Sequence, residues 1–181
     1  IAAYEEDLHV WREAFSDGMA ELRRQAKKAT SGSFSQSRYA SLVVQLQDWD
    51  TISDTEKTRR KVTFGSHIYV LSKKYQVVGQ GDAAQLQYRA GSVKPTTGKY
   101  QQQPPLSPYM VIVHDGNKFD ALMELHRSDG IAGHAKGKTL RAMVWSEHGA
   151  SITQAEQALF VKLCQTCARR LPKLQTGPAG K

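Results

Sequence analysis

Apolar side chains recur at steps of three and four along residues 4 to 28, where Leu8, Trp11, Phe15, Met19 and Leu22 fall on one stripe. The spacing predicts an amphipathic helix. Acidic residues gather in its first turns and Arg23, Arg24, Lys27 and Lys28 in its last, as the helix dipole favours, before the serine- and glycine-rich run from Thr30 to Ser37 breaks it. From Arg38 to about Tyr88 the period shortens to two, in Ser41–Leu46, Lys61–Phe64, His67–Leu71 and Tyr75–Val78, which predicts four strands. Gly81–Arg89 reads instead as the start of a short helix capped by Asp82.

Residues 91–108 hold four of the six prolines and almost no apolar period, so they form a connector. A second strand-rich block follows in Tyr109–Val113, a turn at His114–Asn117, Phe119–His126 and Thr139–Trp145. The last element begins at Thr153-Gln-Ala-Glu156, a capping-box pattern, and its broad apolar face continues through Cys164, Cys167 and Leu171 until Pro172 stops it.

Charge changes this picture by dividing the chain. Residues 1–22 carry Glu5, Glu6, Asp7, Glu13, Asp17 and Glu21 against Arg12 alone, while the remainder carries 24 basic residues against 11 acidic ones. A basic excess set on strands suggests a polyanion, with nucleic acid the first candidate. Phe64, Tyr69, Tyr75, Tyr88 and Tyr100 are interleaved with the basic groups as candidate stacking platforms, although burial in the core competes for them. At 181 residues, 40% apolar and 23% charged, the chain has the composition of one globular domain or two small ones, and no apolar run is long enough to cross a membrane. Two cysteines do not make a secreted disulfide framework, which favours a reducing compartment. The start at Ile1 fits a clipped chain or a mature one whose targeting peptide has been removed.

Candidate chemistry is sparse. Cys164-Gln-Thr-Cys167 has zinc spacing but lacks a second pair; His126, His134 and His148 are available to complete a site, yet the helical period gives the simpler account of two sulfurs filling core space. His114-Asp-Gly-Asn117 reads as a hairpin turn rather than an acid-base site. Gly79-Gln-Gly81 lacks the third glycine of a dinucleotide fingerprint, and no nucleophile elbow or carboxylate pair stands out. The expectation is a protein that is not an enzyme and carries no metal or cofactor.

Laid out as Ser107–Asp115, Ala121–Gly130, Lys138–Trp145 and the Ile152-Thr-Gln-Ala-Glu156 start of a helix ending Leu171-Pro-Lys-Leu174, the second block resembles the Whirly fold, and most narrowly the kinetoplastid mitochondrial RNA-binding proteins. The resemblance covers 107–174 well and 38–90 in outline. Two features depart from it: Lys136-Gly-Lys-Thr-Leu140 lies late in the chain, and the acidic N-terminal helix is outside the common core. The resemblance implies an α+β fold of two four-stranded antiparallel sheets, each followed by a helix, with helix 1–29 added, repeats at about 38–90 and 107–174 within a domain 30–174, and a tail 175–181. It further implies a non-catalytic factor of the mitochondrial matrix or kinetoplast that binds guide RNA and messenger RNA by their phosphates and promotes annealing in RNA editing. A paralogous subunit would complete a heterotetramer, with no membrane contact. The basic residues expected to carry the RNA are Arg59, Arg60, Lys61, Lys73, Lys74, Arg89, Lys94, Lys99, Lys118, Arg127, Lys136, Lys138 and Arg141. The rival readings are a structural RNA-binding subunit of a mitochondrial or ribosomal ribonucleoprotein and a small module like the Alu-domain proteins of the signal recognition particle. The acidic helix is expected to contact a basic partner or to cover a sheet edge.

Overall fold

The computed structural model describes residues 2–25, 34–89, 110–127 and 134–169. They are mostly helical. The elements run α1 (Ala2–Gln25), α2 (Gln36–Leu46), α3 (Asp54–Phe64), α4 (His67–Lys74), β1 (Tyr75–Val78), β2 (Gln85–Tyr88), α5 (Lys118–Arg127), α6 (Gly137–His148), α7 (Gln154–Leu163) and α8 (Gln165–Arg169). Among the described residues β1 and β2 form a single two-stranded antiparallel sheet, with Tyr75 opposite Tyr88 and Val78 opposite Gln85. The expectation of two four-stranded sheets in a Whirly-like α+β fold is therefore overturned.

Short apolar runs explain the error, because Ser41–Leu46 and His67–Leu71 satisfy a period of two and a helical period equally well. Ser35 decides the first of these by accepting a hydrogen bond from the Arg38 N–H, so that Leu42 and Leu46 lie one turn apart and are buried together. Ser53 does the same for α3 through the Glu56 N–H, and Ile68 and Ser72 form the buried pair of α4. Of the four predicted strands only Tyr75–Val78 is one. The segment read as a short helix holds a 3₁₀ turn at Gly81–Ala83 and then β2, and Gly79, at φ 86°, closes that loop where a Cβ would stand 2.6 Å from the Ala83 carbonyl oxygen.

In the second block Phe119–His126 lies in α5 and Thr139–Trp145 in α6, again helices where strands were expected. His114–Asn117 does turn the chain, but as a 3₁₀ turn leading into α5 rather than as a hairpin. The capping box of α7 is formed in both directions between Thr153 and Glu156. The connector 91–108 and the tail lie outside the described residues.

Two cores result. Phe34, Leu42, Leu46, Trp49, Ile68, Tyr75, Leu86, Tyr88, Met110 and Ile112 build an N-terminal lobe around the hairpin. Phe119, Leu122, Leu140, Val144, Ile152 and Phe160 build a C-terminal lobe, and Phe15 and Met19 of α1 are buried in it. The acidic helix is thus part of a core rather than a cover for a sheet edge, and Arg12 and Arg23 tie it to Asp120 and Asp115. Residues 110–115 strap the lobes together: Ile112 N–H donates to the Leu86 carbonyl, Val111 N–H to Glu147, and Asp115 N–H to Phe34.

Candidate metal centre

Four side chains from three elements converge at one end of the C-terminal lobe. His126 sits in the last turn of α5, whose apolar face buries Phe119, Leu122 and Met123 and so turns His126 inward. His134 follows on the segment leading to α6. Cys164 is the C-cap of α7 in extended backbone, φ −69° and ψ 110°, and Cys167 lies in α8. The helix expected to run on to Pro172 stops at Leu163, so Cys-x-x-Cys spans a break in the chain instead of one face of a continuous helix. That break swings both sulfurs toward the histidines.

His126 Nε2 lies 2.8 Å from His134 Nδ1, 3.4 Å from Cys164 Sγ and 3.5 Å from Cys167 Sγ, and His134 Nδ1 lies 3.3 Å from Cys164 Sγ. All four ligand atoms fall within 4.8 Å of one another. Zinc bonds of about 2.0–2.1 Å to nitrogen and about 2.3 Å to sulfur place tetrahedral neighbours about 3.3–3.8 Å apart. Of the six separations, three lie in that range, the histidine pair reaches it if the two rings part by about half an ångström, and the widest, up to 4.8 Å, must close by about 1 Å. The set fits zinc, and its two imidazoles and two thiols match a structural donor set.

The surroundings prepare the ligands. His126 Nδ1 lies 2.5 Å from the Ala135 carbonyl oxygen, a partner that only an Nδ1–H can use, which leaves the Nε2 lone pair facing the cluster. Ala135 N–H in turn donates to the His126 carbonyl, fixing the segment that carries His134. Burial pushes the His126 imidazole below its ordinary value, against the opposing pull of the Ala135 carbonyl, with the neighbouring His134 lowering it further. Cys164, Cys167 and His126 are buried and His134 is half-buried. Phe160 and Trp11 stack edge-on to His126, so α1 roofs the centre.

Sequence reasoning had His126, His134, Cys164 and Cys167 in view but assigned the cysteines to the core, and the signal that unites them is the His2Cys2 count at the two ends of one short region. His148 is not recruited; its Nδ1 faces the Val111 carbonyl instead.

The thirteen basic candidates separate by their contacts. Lys118 is fully buried between Glu156 at 2.8 Å and Asp115 at 3.1 Å, which takes it off any binding surface. Arg59 and Arg60 both bond Glu56, whose carboxyl is held down to about 2 by Arg59 first and Arg60 second. Arg60 also donates to the Gln45 and Gln47 carbonyls, and Arg89 holds Asp50 and the Ser72 and Tyr75 carbonyls. Arg60 and Arg89 thus brace the N-terminal lobe, while Arg59 is exposed and paired within its own helix. Lys94 and Lys99 lie outside the described residues. Lys61, Lys73 and Lys74 are exposed on α3 and α4; Arg127 lines a hollow with His134 and Cys164, Lys136 and Arg141 line one with Cys167, and Lys138 is exposed on α6. A groove of about 350 Å³ between α6 and α7 is lined by Lys136, Leu140, Arg141, Val161, Lys162 and Cys167.

Compared with known proteins, the chain matches no family model, and no curated sequence or solved structure is significantly similar to it. Among the described residues no helix is long and apolar enough to cross a membrane.

Proposed function

We propose that the C-terminal lobe is a zinc-braced, non-catalytic module that binds polynucleotide phosphates on the basic face beside the metal. The convergence of His126, His134, Cys164 and Cys167 carries this reading. Four protein ligands close a tetrahedral shell and leave no position for water or substrate, so the zinc holds structure rather than activating a reactant. What it holds is the junction between the segment leading into α6 and the end of α7. Exposed Lys136 and Lys138 and groove-lining Arg141 and Lys162 lie along those elements, and an anionic backbone is the ligand that several fixed cations favour. Guide-RNA annealing called for two basic four-stranded sheets; among the described residues the one sheet is the two-stranded β1–β2 hairpin, and the cations beside the proposed centre stand on helices.

The test is metal analysis followed by a binding series. Protein purified under reducing conditions without added metal is expected to hold one equivalent of zinc, and cobalt exchange to give tetrahedral absorption with thiolate charge transfer. Cys164→Ser should lose both. Binding to single-stranded RNA, single-stranded DNA and duplex DNA should weaken with salt, by about 0.7 logarithmic units per neutralised phosphate on a single strand and about 0.9 on a duplex. Metal-free protein with no cobalt spectrum overturns the centre, and the absence of any salt-dependent polynucleotide binding overturns the function.

A further inference from the structure

Burial sorts the aromatic rings interleaved with the basic residues of the first block. Tyr75 and Tyr88 are 2% and 3% exposed, packed against each other at a tilt in the N-terminal core, and Phe64 is half-buried against the same core. Tyr69 is different, with 50% of its surface open. Lys73 Nζ lies 4.4 Å and Lys61 Nζ 5.7 Å from its ring centroid; Val70, its neighbour in sequence, is 67% exposed, and Val62, next to Lys61 on α3, is 83% exposed.

The junction between α3 and α4 creates this arrangement. Gly65, at φ 87°, donates its N–H to the Lys61 carbonyl and reverses the chain, so the last turn of α3 meets the first of α4. Residues 54–74 hold six lysines and arginines against Asp54 and Glu56. Both acids are already engaged, Glu56 by Arg59 and Arg60 and Asp54 by Lys57. Among the described residues no carboxylate forms an ion pair with Lys61 or Lys73. Two lysines thus stand over a half-exposed aromatic ring.

We infer that this patch binds single-stranded nucleic acid, with an unpaired base stacked on Tyr69 and adjacent phosphates on Lys61 and Lys73. The inference rests on the polynucleotide reading above and adds a second contact, on the other lobe. Long lysine stems let both ammoniums swing from the ring to phosphate, and the ring face opens as they leave. A duplex hides its base faces and cannot use the ring, while a single strand presents base and phosphate together. An acidic polypeptide would satisfy the lysines but bring no flat π-face to Tyr69.

The experiment compares wild type, Tyr69→Ala, Tyr69→Phe and the double variant Lys61→Gln/Lys73→Gln, all zinc-loaded. The probes are labelled oligouridine, oligodeoxythymidine, a DNA duplex and poly-glutamate. Tyr69→Ala should weaken both single strands by about tenfold and leave the duplex unchanged, while Tyr69→Phe stays within about twofold of wild type. The double lysine variant should reduce the single-strand salt slope by about 1.4, for two phosphates. Zinc content should be the same in all four. Single-strand binding unaffected by Tyr69→Ala overturns the patch and leaves the metal-lobe reading standing. An equal loss toward poly-glutamate overturns it in favour of an acidic protein. If zinc-loaded wild type binds none of the nucleic acids, both the patch and the functional reading fail.

Discussion

The two lobes solve the problem of a small core in different ways. The N-terminal lobe encloses Trp49, Phe34 and two tyrosines packed at a tilt around a hydrogen-bonded hairpin, and its arginines satisfy carbonyls at the rim. The C-terminal lobe is built of helices and buries polar groups as well as apolar ones: Lys118, Glu156, His126 and Ser151 are all inside. A core that spends interior volume on such groups gains less from burial and depends on how well each is paired. In the proposed centre, metal ligation would supply the order that the hairpin supplies in the other lobe.

The sharpest way to break this comparison is to remove the metal. Chelation with reductant present should lower the melting transition of the C-terminal lobe and release α1, while hydrogen exchange in β1 and β2 stays slow. Equal loss of protection in both lobes would show that they are one cooperative unit. A smaller effect comes from the buried ion pair. Lys118→Met leaves Glu156 and Asp115 facing a neutral side chain, and the expected cost is about 3–5 kcal/mol by urea unfolding. Zinc stoichiometry should be unchanged, since Lys118 lies at the opposite end of α5 from His126.

The smallest effect is one of pH. Burial pushes His148 below its ordinary imidazole value, opposed by the Val111 carbonyl and by Glu147 and Glu124. The folded protein therefore resists protonation that the unfolded chain accepts, and this contribution is complete above about pH 6.5 and is lost as pH falls through the lowered folded value. His148→Gln should reduce the loss of stability between pH 7.5 and 5.5 by no more than about 1 kcal/mol, read from urea midpoints at both pH values. An identical pH dependence in both proteins would remove His148 from the account.

Legibility in the sequence followed the length and redundancy of each signal. Helix α1 has five stripe positions over four turns, and α7 has both halves of a capping box, so each was readable. Helices α2 and α4 have stretches of five or six apolar-rich residues in which two periods coexist, and only the caps decide; Ser53-Asp-Thr-Glu56 was the same capping signature as Thr153–Glu156 and went unread. The metal centre was half-visible. Its four residues were identifiable by type, but a continuous α7 would have pointed Cys164 and Cys167 into apolar packing, and the stop at Leu163 is a tertiary outcome that no local propensity announces. The basic surplus was legible as a total and not as a surface, because the same residue type serves as interior ion pair at Lys118, rim brace at Arg60 and open cation at Lys73.

Helix α1 meets its partner late. Phe15 and Met19 pack with Phe160 in one core, yet the whole N-terminal lobe lies between them in the chain. During synthesis at about 5–20 residues per second, the apolar stripe of α1 leaves the ribosome roughly 7 to 30 seconds before α7 exists to cover it. The six acidic side chains on that helix then have a second use, keeping an uncovered amphipathic segment dispersed among its own kind until the C-terminal lobe has been made.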